Sequence, residues 1–185
     1  MIKYFRRTLC SVKKKKWGIK MYWYIAHVKA GQANKLVSSL NKQEDIEAFV
    51  PKKEQWYRAR DKRTYVIKEL YPDYVFIKSK LNKDKFDEKF KVFFRTIEGL
   101  IELLDYKDVY PLTLDEQSFL ERLFDGGYVI KHTLGNIINS RFNAIKGPLI
   151  GLEDKIIKLN RHDRFVTLDC TIFNGKFNVA IEMVD

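Results

Sequence analysis

Basic side chains recur at short intervals near the C-terminal end of the sequence. The set comprises Lys146, Lys155, Lys158, Arg161, His162 and Arg164. Closely spaced Arg, His and Lys side chains can contact phosphates and reach base edges in a distorted RNA groove. A solvated strand end carries the same residue types, because charged side chains are mostly exposed. The spacing therefore indicates RNA contact while leaving the second interpretation open.

A second basic segment, residues 52–63, places an aromatic ring among cations. Trp56, Arg58 and Arg60 stand two residues apart. Aromatic rings interleaved with positive charges suit single-stranded nucleic acid, because bases stack on the rings while the cations neutralise phosphates. A charged loop tip is an equally good interpretation. We predict an exposed hairpin or loop here.

Residues that could support catalysis lack the necessary spacing. The three histidines, His27, His132 and His162, do not stand at intervals that suit a metal site. Adjacent acids such as Glu153-Asp154 point to opposite faces of a strand, and no G-x-x-x-x-G-K phosphate loop occurs. We therefore expect no enzyme activity, no cofactor and no metal.

The net charge of +11 is concentrated at the N-terminus. Residues 1–20 hold eight of the 35 Lys and Arg and no acid, which leaves 27 basic against 24 acidic side chains, a net +3. Such a tail can bind nucleic acid or stay solvated, and it also fits upstream sequence before a true start at Met21. It lacks the apolar core and cleavage site of a signal peptide. We treat it as a basic tail without a predicted fold.

The cysteines and the apolar runs indicate the compartment. Cys10 and Cys170 lie far apart, and we predict reduced thiols rather than a disulfide or a metal site. No run approaches the roughly 18 apolar residues of a membrane span. We expect a cytoplasmic monomer that does not contact the membrane.

Strands and helices alternate over the first two thirds of the chain. Aromatic and β-branched content predicts strands at 22–28, 46–50, 65–70, 74–77 and 100–104. Helical spacing of apolar residues predicts two helices, one with Ala33, Leu36, Val37 and Leu40, and one with Phe86, Phe90, Phe93 and Phe94. The capping box of Thr113 and Glu116 opens a third helix, which Gly126-Gly127 ends. This order predicts an α+β sandwich of helices against an antiparallel sheet.

The last forty residues show a different pattern. Gly147-Pro148 marks a tight turn, and apolar residues then alternate at Val166, Leu168, Cys170 and Ile172. A second alternating run, Phe177 to Met183, follows Asn174-Gly175, and two such runs joined by Asn-Gly are a strong hairpin signal. We predict a small, basic, all-β module.

Both regions resemble parts of NusG-type transcription factors. Residues 21–125 resemble the N-terminal domain, through Trp23-Tyr24 in the first strand and Leu70-Tyr71-Pro72-Asp73-Tyr74-Val75-Phe76 at the central strand. Residues 126–185 resemble a linker and a KOW domain, the SH3-like β-barrel that closes such factors, through Gly147-Pro148-Leu149-x-Gly151. The family usually has Gly where this chain has Asp73, and Asp tolerates the left-handed region better than most residues.

The resemblance implies macromolecular partners. Positions matching Trp23, Tyr71 and Tyr74 line the pocket that binds the clamp helices of RNA polymerase. By residue type alone, these aromatics could equally be packed core side chains. The region matching Trp56, Arg58 and Arg60 lies near upstream DNA and the non-template strand.

A narrower resemblance concerns the basic C-terminal stretch. The run from Lys146 to Lys158, followed by Asn160-Arg161-His162-Asp163-Arg164, is similar to LoaP-type specialised NusG paralogues. These are processive antitermination factors, and the resemblance implies that the basic set binds an RNA hairpin in the leader transcript. A general NusG-like elongation factor, whose barrel contacts the ribosome or other proteins, is the alternative within the family. A ribosome-associated KOW protein is the alternative outside it.

Overall fold

A computed structural model describes residues 20–59, 62–96, 100–103, 111–124, 126–170 and 175–184. Most of the predicted tail, Arg60 of the basic segment, and Ile172 and Asn174 of the C-terminal hairpin lie outside these residues. The described chain contains helices packed on an antiparallel sheet, a long two-stranded ribbon that a short third strand joins, and a curled five-stranded sheet. This confirms the predicted α+β fold class with a small C-terminal barrel.

The first part of the chain forms two sheets and three helices. In chain order the elements are β1 (Tyr22–Val28), α1 (Ala33–Leu40), β2 (Ile46–Phe49), β3 (Lys52–Ala59), β4 (Lys62–Glu69), β5 (Tyr74–Ser79), α2 (Lys83–Thr96), β6 (Leu100–Leu103), α3 (Leu114–Phe124) and β7 (Val129–Ile130). The central sheet has the order β2-β5-β1-β6, and all its neighbours are antiparallel. The predicted helices and capping box are confirmed, because the Thr113 hydroxyl accepts from the Glu116 amide while the Glu116 carboxylate accepts from the Thr113 amide.

Alternate residues of β1 enter different cores. Tyr24, Ala26 and Val28 pack under α1 and α2, whose apolar faces the helical spacing predicted. Trp23 and Ile25 point the other way and join a cluster with α3 and with the C-terminal strands. Among the described residues, no helix is long and apolar enough to cross a membrane.

The basic segment is the first strand of a long ribbon. Strands β3 and β4 pair antiparallel from Lys52 opposite Glu69 to Ala59 opposite Lys62. The strand predicted from Tyr65 therefore begins earlier, at Lys62, because cross-strand pairs such as Trp56 opposite Tyr65 extend the ladder. Strand β7 joins β3 in parallel.

The remaining strands form the barrel. They are β8 (Thr133–Ile138), β9 (Arg141–Lys146), β10 (Ile156–Asn160), β11 (Phe165–Asp169) and β12 (Lys176–Met183), in the order β10-β11-β12-β8-β9. A short 3-10 turn, Glu153–Lys155, precedes β10. Gly147 has φ +127°, and a Cβ there would lie 2.8 Å from the Thr133 Cα, so the Gly-Pro turn requires glycine.

One hydrophobic cluster joins the N-terminal elements to the barrel. It contains Trp23 and Phe76 of the central sheet, Leu123 of α3, and Val166 and Ile181 of the barrel. The two predicted units, 21–125 and 126–185, thus share buried surface, although the boundary between them stays a prediction. The shared cluster holds the barrel beside the ribbon, where the basic residues meet.

Candidate functional site

The turn between β10 and β11, residues 161–164, presents part of the predicted RNA-binding set. Asn160 closes this barrel turn by accepting a hydrogen bond from the Asp163 amide, at 2.9 Å, and donating one to the Asp163 carboxylate, also at 2.9 Å. These contacts leave Arg161 and His162 exposed at the tip. The His162 side chain is 80% accessible to solvent, so the turn can approach a large ligand.

The rest of the basic set is spread over the barrel. Lys158 is exposed on β10, close to the barrel turn. Lys155 lies in the 3-10 turn before β10, with its ammonium 5.9 Å from the centre of the Phe119 ring on α3. Lys146 ends β9, the opposite edge strand of the sheet. The structure therefore groups Lys158, Arg161 and His162 and separates Lys146 and Lys155 from them.

Arg164 connects the barrel to the ribbon. It has φ +48°, and its guanidinium lies over the Trp56 ring at 4.2 Å. Such stacking is favourable, because the ring face carries negative partial charge. Trp56 and Arg58 lie on one face of β3, since strand side chains alternate, and both line a groove against the barrel turn. The two basic regions, far apart in sequence, are thus neighbours.

His132 holds the same junction together. Its backbone N–H donates to the Glu54 carboxylate at 2.8 Å, and its ring nitrogens lie 2.5 Å from Glu54 and 3.3 Å from the Glu182 carboxylate. Its ring also stacks on Tyr65 at 4.1 Å. No local pattern predicts this contact, because Glu54 and His132 are 78 residues apart.

Tyr71 and Tyr74 flank the turn before β5. Their rings meet edge to face at 6.3 Å, and Tyr74 stacks on His27 of β1 at 4.7 Å. Both side chains are half-buried against the shared cluster. With His27, they form a continuous aromatic strip at one end of the central sheet.

Tyr71 also lies beside the barrel. Burial raises the pKa of the Tyr71 hydroxyl above its ordinary value of 10.0, and the nearby Cys170 thiol adds to the shift. Cys170 follows β11, so a barrel residue adjoins the aromatic strip. In this arrangement the barrel limits access to Tyr71.

Trp23 belongs to the core rather than to the aromatic strip. Its side chain is 0% exposed and packs against Phe49, Phe76 and Phe124 at 5.7 to 6.4 Å between ring centres. The Lys78 ammonium lies 4.4 Å above its ring. Because the indole is buried, it can support a partner surface only by packing beneath one.

Among the residues that the structure describes, no three His, Cys, Asp or Glu side chains converge in a way that could hold a metal ion.

Comparison with known proteins assigns this arrangement to a family. Residues 21–121 match the family described as "Transcription termination factor nusG". The chain is similar to a solved structure of NusG from Thermotoga maritima, described as "Domain interaction in Thermotoga maritima NusG", with 16% identity and a TM-score of 0.50 over 87% of this chain and 93% of that chain. At this identity the likeness concerns the fold. No curated protein sequence matches the chain.

Proposed function

Because the chain belongs to the NusG family of transcription elongation and termination factors, we propose that it is a processive antitermination factor. It binds RNA polymerase through the N-terminal unit and an RNA hairpin of the leader transcript through the barrel. This is the activity of the LoaP-type paralogues that its basic stretch resembles. Tethering the polymerase and the transcript to one protein raises their effective concentration, so recruitment at a leader persists across later terminators.

The exposed barrel turn is the observation that carries the RNA-binding part. Arg161 and His162 stand at its tip beside Lys158, with Arg164 at its base. Lys146 on β9 and Lys155 in the 3-10 turn before β10 complete the proposed set. Neutralising four or five phosphates would give a log–log salt slope on the order of −3 to −4.

The aromatic strip supports the polymerase-binding part. NusG-family proteins generally bind RNA polymerase, and Tyr71 and Tyr74 match the positions that contact its clamp helices. A half-buried aromatic pair can add apolar contact area when a partner covers it. Trp23 is buried in the core and would support the polymerase-binding surface by packing beneath it. The ribbon residues Trp56 and Arg58, together with Arg60, would lie near upstream and non-template DNA.

Direct RNA binding is the first test, with the Lys158→Ala/Arg161→Ala double variant of the full chain. Both side chains are exposed, so the fold should be unaffected. We expect loss of leader-hairpin binding by at least tenfold and a salt slope shallower by about 1.5, since each lost phosphate contact removes about 0.7 to 0.9. The Lys85→Ala/Arg95→Ala variant removes equal charge from α2 and should bind normally. Equal affinity of both variants would remove the hairpin from the model.

Readthrough in a purified single-round transcription assay tests the whole function. The template carries the native upstream leader and two successive intrinsic terminators. We expect the protein to increase readthrough at both, and only when the leader is present. Leader-independent changes in pausing would instead identify a general NusG-like factor.

An exposed apolar groove on the barrel favours that alternative. Ile138 and Ile157 are 52% and 50% exposed and line one groove between β9 and β10. Exposed apolar surface suits a protein partner such as a ribosomal protein. Hairpin-selective RNA binding that depends on Arg161 would argue against this function.

A further inference from the structure

His132, between β7 and β8, lies where the ribbon meets the barrel. Its ring stacks on Tyr65 of β4, while one ring nitrogen approaches Glu54 of β3 and the other approaches Glu182 of β12. Glu54 and Tyr65 belong to the ribbon, and Glu182 belongs to the barrel. The imidazole therefore contacts both parts of the molecule through different atoms. We call this contact the His132 junction.

Both ring nitrogens of His132 face carboxylates. Nδ1 lies 2.5 Å from a Glu54 oxygen, and Nε2 lies 3.3 Å from a Glu182 oxygen. An ionised carboxylate only accepts hydrogen bonds, so each of these contacts needs a donor on the imidazole. An imidazolium carries an N–H at each nitrogen, whereas a neutral imidazole carries an N–H at one nitrogen and a lone pair at the other. Only the protonated ring can therefore donate to Glu54 and Glu182 together.

Loss of the proton acts mainly on the contact with the barrel. The backbone N–H of His132 also donates to the Glu54 carboxylate, at 2.8 Å, so Glu54 stays beside the ring in either charge state. A neutral ring that keeps its N–H towards Glu54 presents the lone pair of Nε2 to the Glu182 carboxylate. Two acceptors then face each other, and the attraction between His132 and the barrel becomes a repulsion.

The charges around the ring complement an imidazolium. Glu54 and Glu182 supply two negative charges, and Arg164, which hydrogen-bonds to the Tyr65 hydroxyl, supplies one positive charge. Tyr65 itself stays neutral, because burial raises the pKa of its hydroxyl, which donates to a carbonyl of β12 at 2.8 Å. The side chains of His132 and Glu54 are 28% and 20% exposed, so water screens their attraction only in part. A positive charge on the ring completes the balance at this junction.

We propose that His132 is a pH-sensitive switch that controls the packing of the barrel against the ribbon. The protonated ring joins Glu54 to Glu182 and stabilises the packed arrangement, whereas the neutral ring releases Glu182. Because the packed arrangement binds the proton more tightly, it is favoured at low pH and weakened as the pH rises through the titration of the histidine. Histidine is the side chain whose charge ordinarily changes between about pH 5 and 8, so the switch operates near neutral pH.

The switch determines where the basic residues lie relative to one another. The guanidinium of Arg164 stacks on Trp56 between the same two parts of the molecule, so opening of the His132 junction separates the barrel turn from the ribbon. His132 is therefore a positioning residue, which acts on the barrel turn without itself contacting a ligand. The switch goes beyond the proposed antitermination and does not depend on it, because every contact that carries it lies within the protein.

Hydrogen exchange of the full chain tests the switch, with each rate divided by the intrinsic rate at the same pH. Between about pH 6 and about pH 8.5, we expect exchange in β4 and β12 to accelerate at least about fivefold, since one proton can shift an equilibrium by up to about tenfold per pH unit. Exchange in α2, which packs in the cluster on the far face of the central sheet, should change by less than about twofold. His132→Gln keeps a polar side chain that cannot become charged. Its corrected rates should be the same at both pH values and, at the lower pH, faster than those of the unmodified protein.

His162→Gln is the matched control, because it removes a histidine whose side chain is 80% exposed and lies outside the His132 junction. We expect it to keep the full pH dependence of the unmodified protein. Glu182→Gln is a second junction variant, at a side chain that is 39% exposed, so its fold should persist. It removes the charge that faces Nε2, and the pH-dependent acceleration should fall at least about twofold. Equal exchange of the unmodified protein at both pH values, or undiminished pH dependence in either junction variant, would overturn the proposal.

Discussion

The two faces of the central sheet are covered by different parts of the chain. On one face, Tyr24, Ala26 and Val28 pack with α1 and α2 in a cluster drawn from residues 22–94. On the other, Trp23 and Ile25 pack with α3 and with barrel residues as distant as Ile181. Neighbouring residues of one strand thus enter cores with very different sequence separations. We call the first cluster the helix-side core. The second, which is the shared cluster described above, we call the shared core.

The two cores differ in which parts of the chain must come together to form them. The helix-side core needs only a contiguous segment, so its loop-closure cost is limited. The shared core is complete only when the barrel lies against α3 and the central sheet. We therefore expect the helix-side core to set the stability of the N-terminal unit and the shared core to set the position of the barrel.

The largest expected effect comes from Phe90→Ala in the helix-side core. Phe90 is 2% exposed and packs on Phe86 at 5.0 Å between ring centres. Emptying such a site costs about 3–5 kcal/mol of unfolding free energy, measured by urea denaturation. Val92→Ala on the same helix, where the side chain is 70% exposed, should change stability by less than about 0.5 kcal/mol. A loss below about 1 kcal/mol for Phe90→Ala would break the distinction between the cores.

The helix-side core was the part of the fold most open to prediction. Helical spacing identified Leu36, Leu40, Phe86 and Phe90, because the period of a helix places them on one face. Strand alternation likewise accounts for Trp23 and Tyr24 lying on opposite faces of β1. No local pattern, however, pairs Phe119 with Phe177, because docking between distant segments depends on their three-dimensional shapes.

In the candidate site, too, local features can be predicted from the sequence, whereas contacts between distant segments cannot. Arg161 and His162 could be predicted because they are adjacent in sequence and exposed in one turn. The contact of Arg164 with Trp56, and the placement of His132 between Glu54 and Glu182, join segments that carry no mutual signal. The resemblance places Trp23 in the polymerase pocket, and its position in β1 buries it completely, as its residue type also allowed.

A smaller effect is expected from Phe119→Ala in the shared core. Phe119 is half-buried on α3 and packs edge to face on Phe177 of β12 at 6.0 Å. We expect a loss of about 1–2 kcal/mol, since part of the ring is already exposed and the aromatic pair adds about 0.5–1.5 kcal/mol. Hydrogen exchange should accelerate in α3 and β12 and stay unchanged in α2.

Phe93→Ala is the matched control for that variant. Phe93 is also half-buried, but it packs on Phe90 at 6.2 Å in the helix-side core. Its faster exchange should be confined to α2. If Phe119→Ala accelerates exchange equally in α2, the two cores unfold as one unit and the comparison fails.

The smallest expected effect concerns Asp73, in the turn that carries Tyr71 and Tyr74. Its φ of +66° is left-handed, and its carboxylate accepts the Gly31 N–H at 3.2 Å. Asp73→Gly relieves backbone strain of about 1 kcal/mol and loses a hydrogen bond of similar net value, so unfolding free energy should change by less than about 0.5 kcal/mol. Asp73→Ala keeps the strain and loses the bond, so it should cost about 1 kcal/mol. Urea denaturation of both variants measures the difference, and a glycine variant no more stable than the alanine variant would show that the left-handed backbone at this position carries no strain.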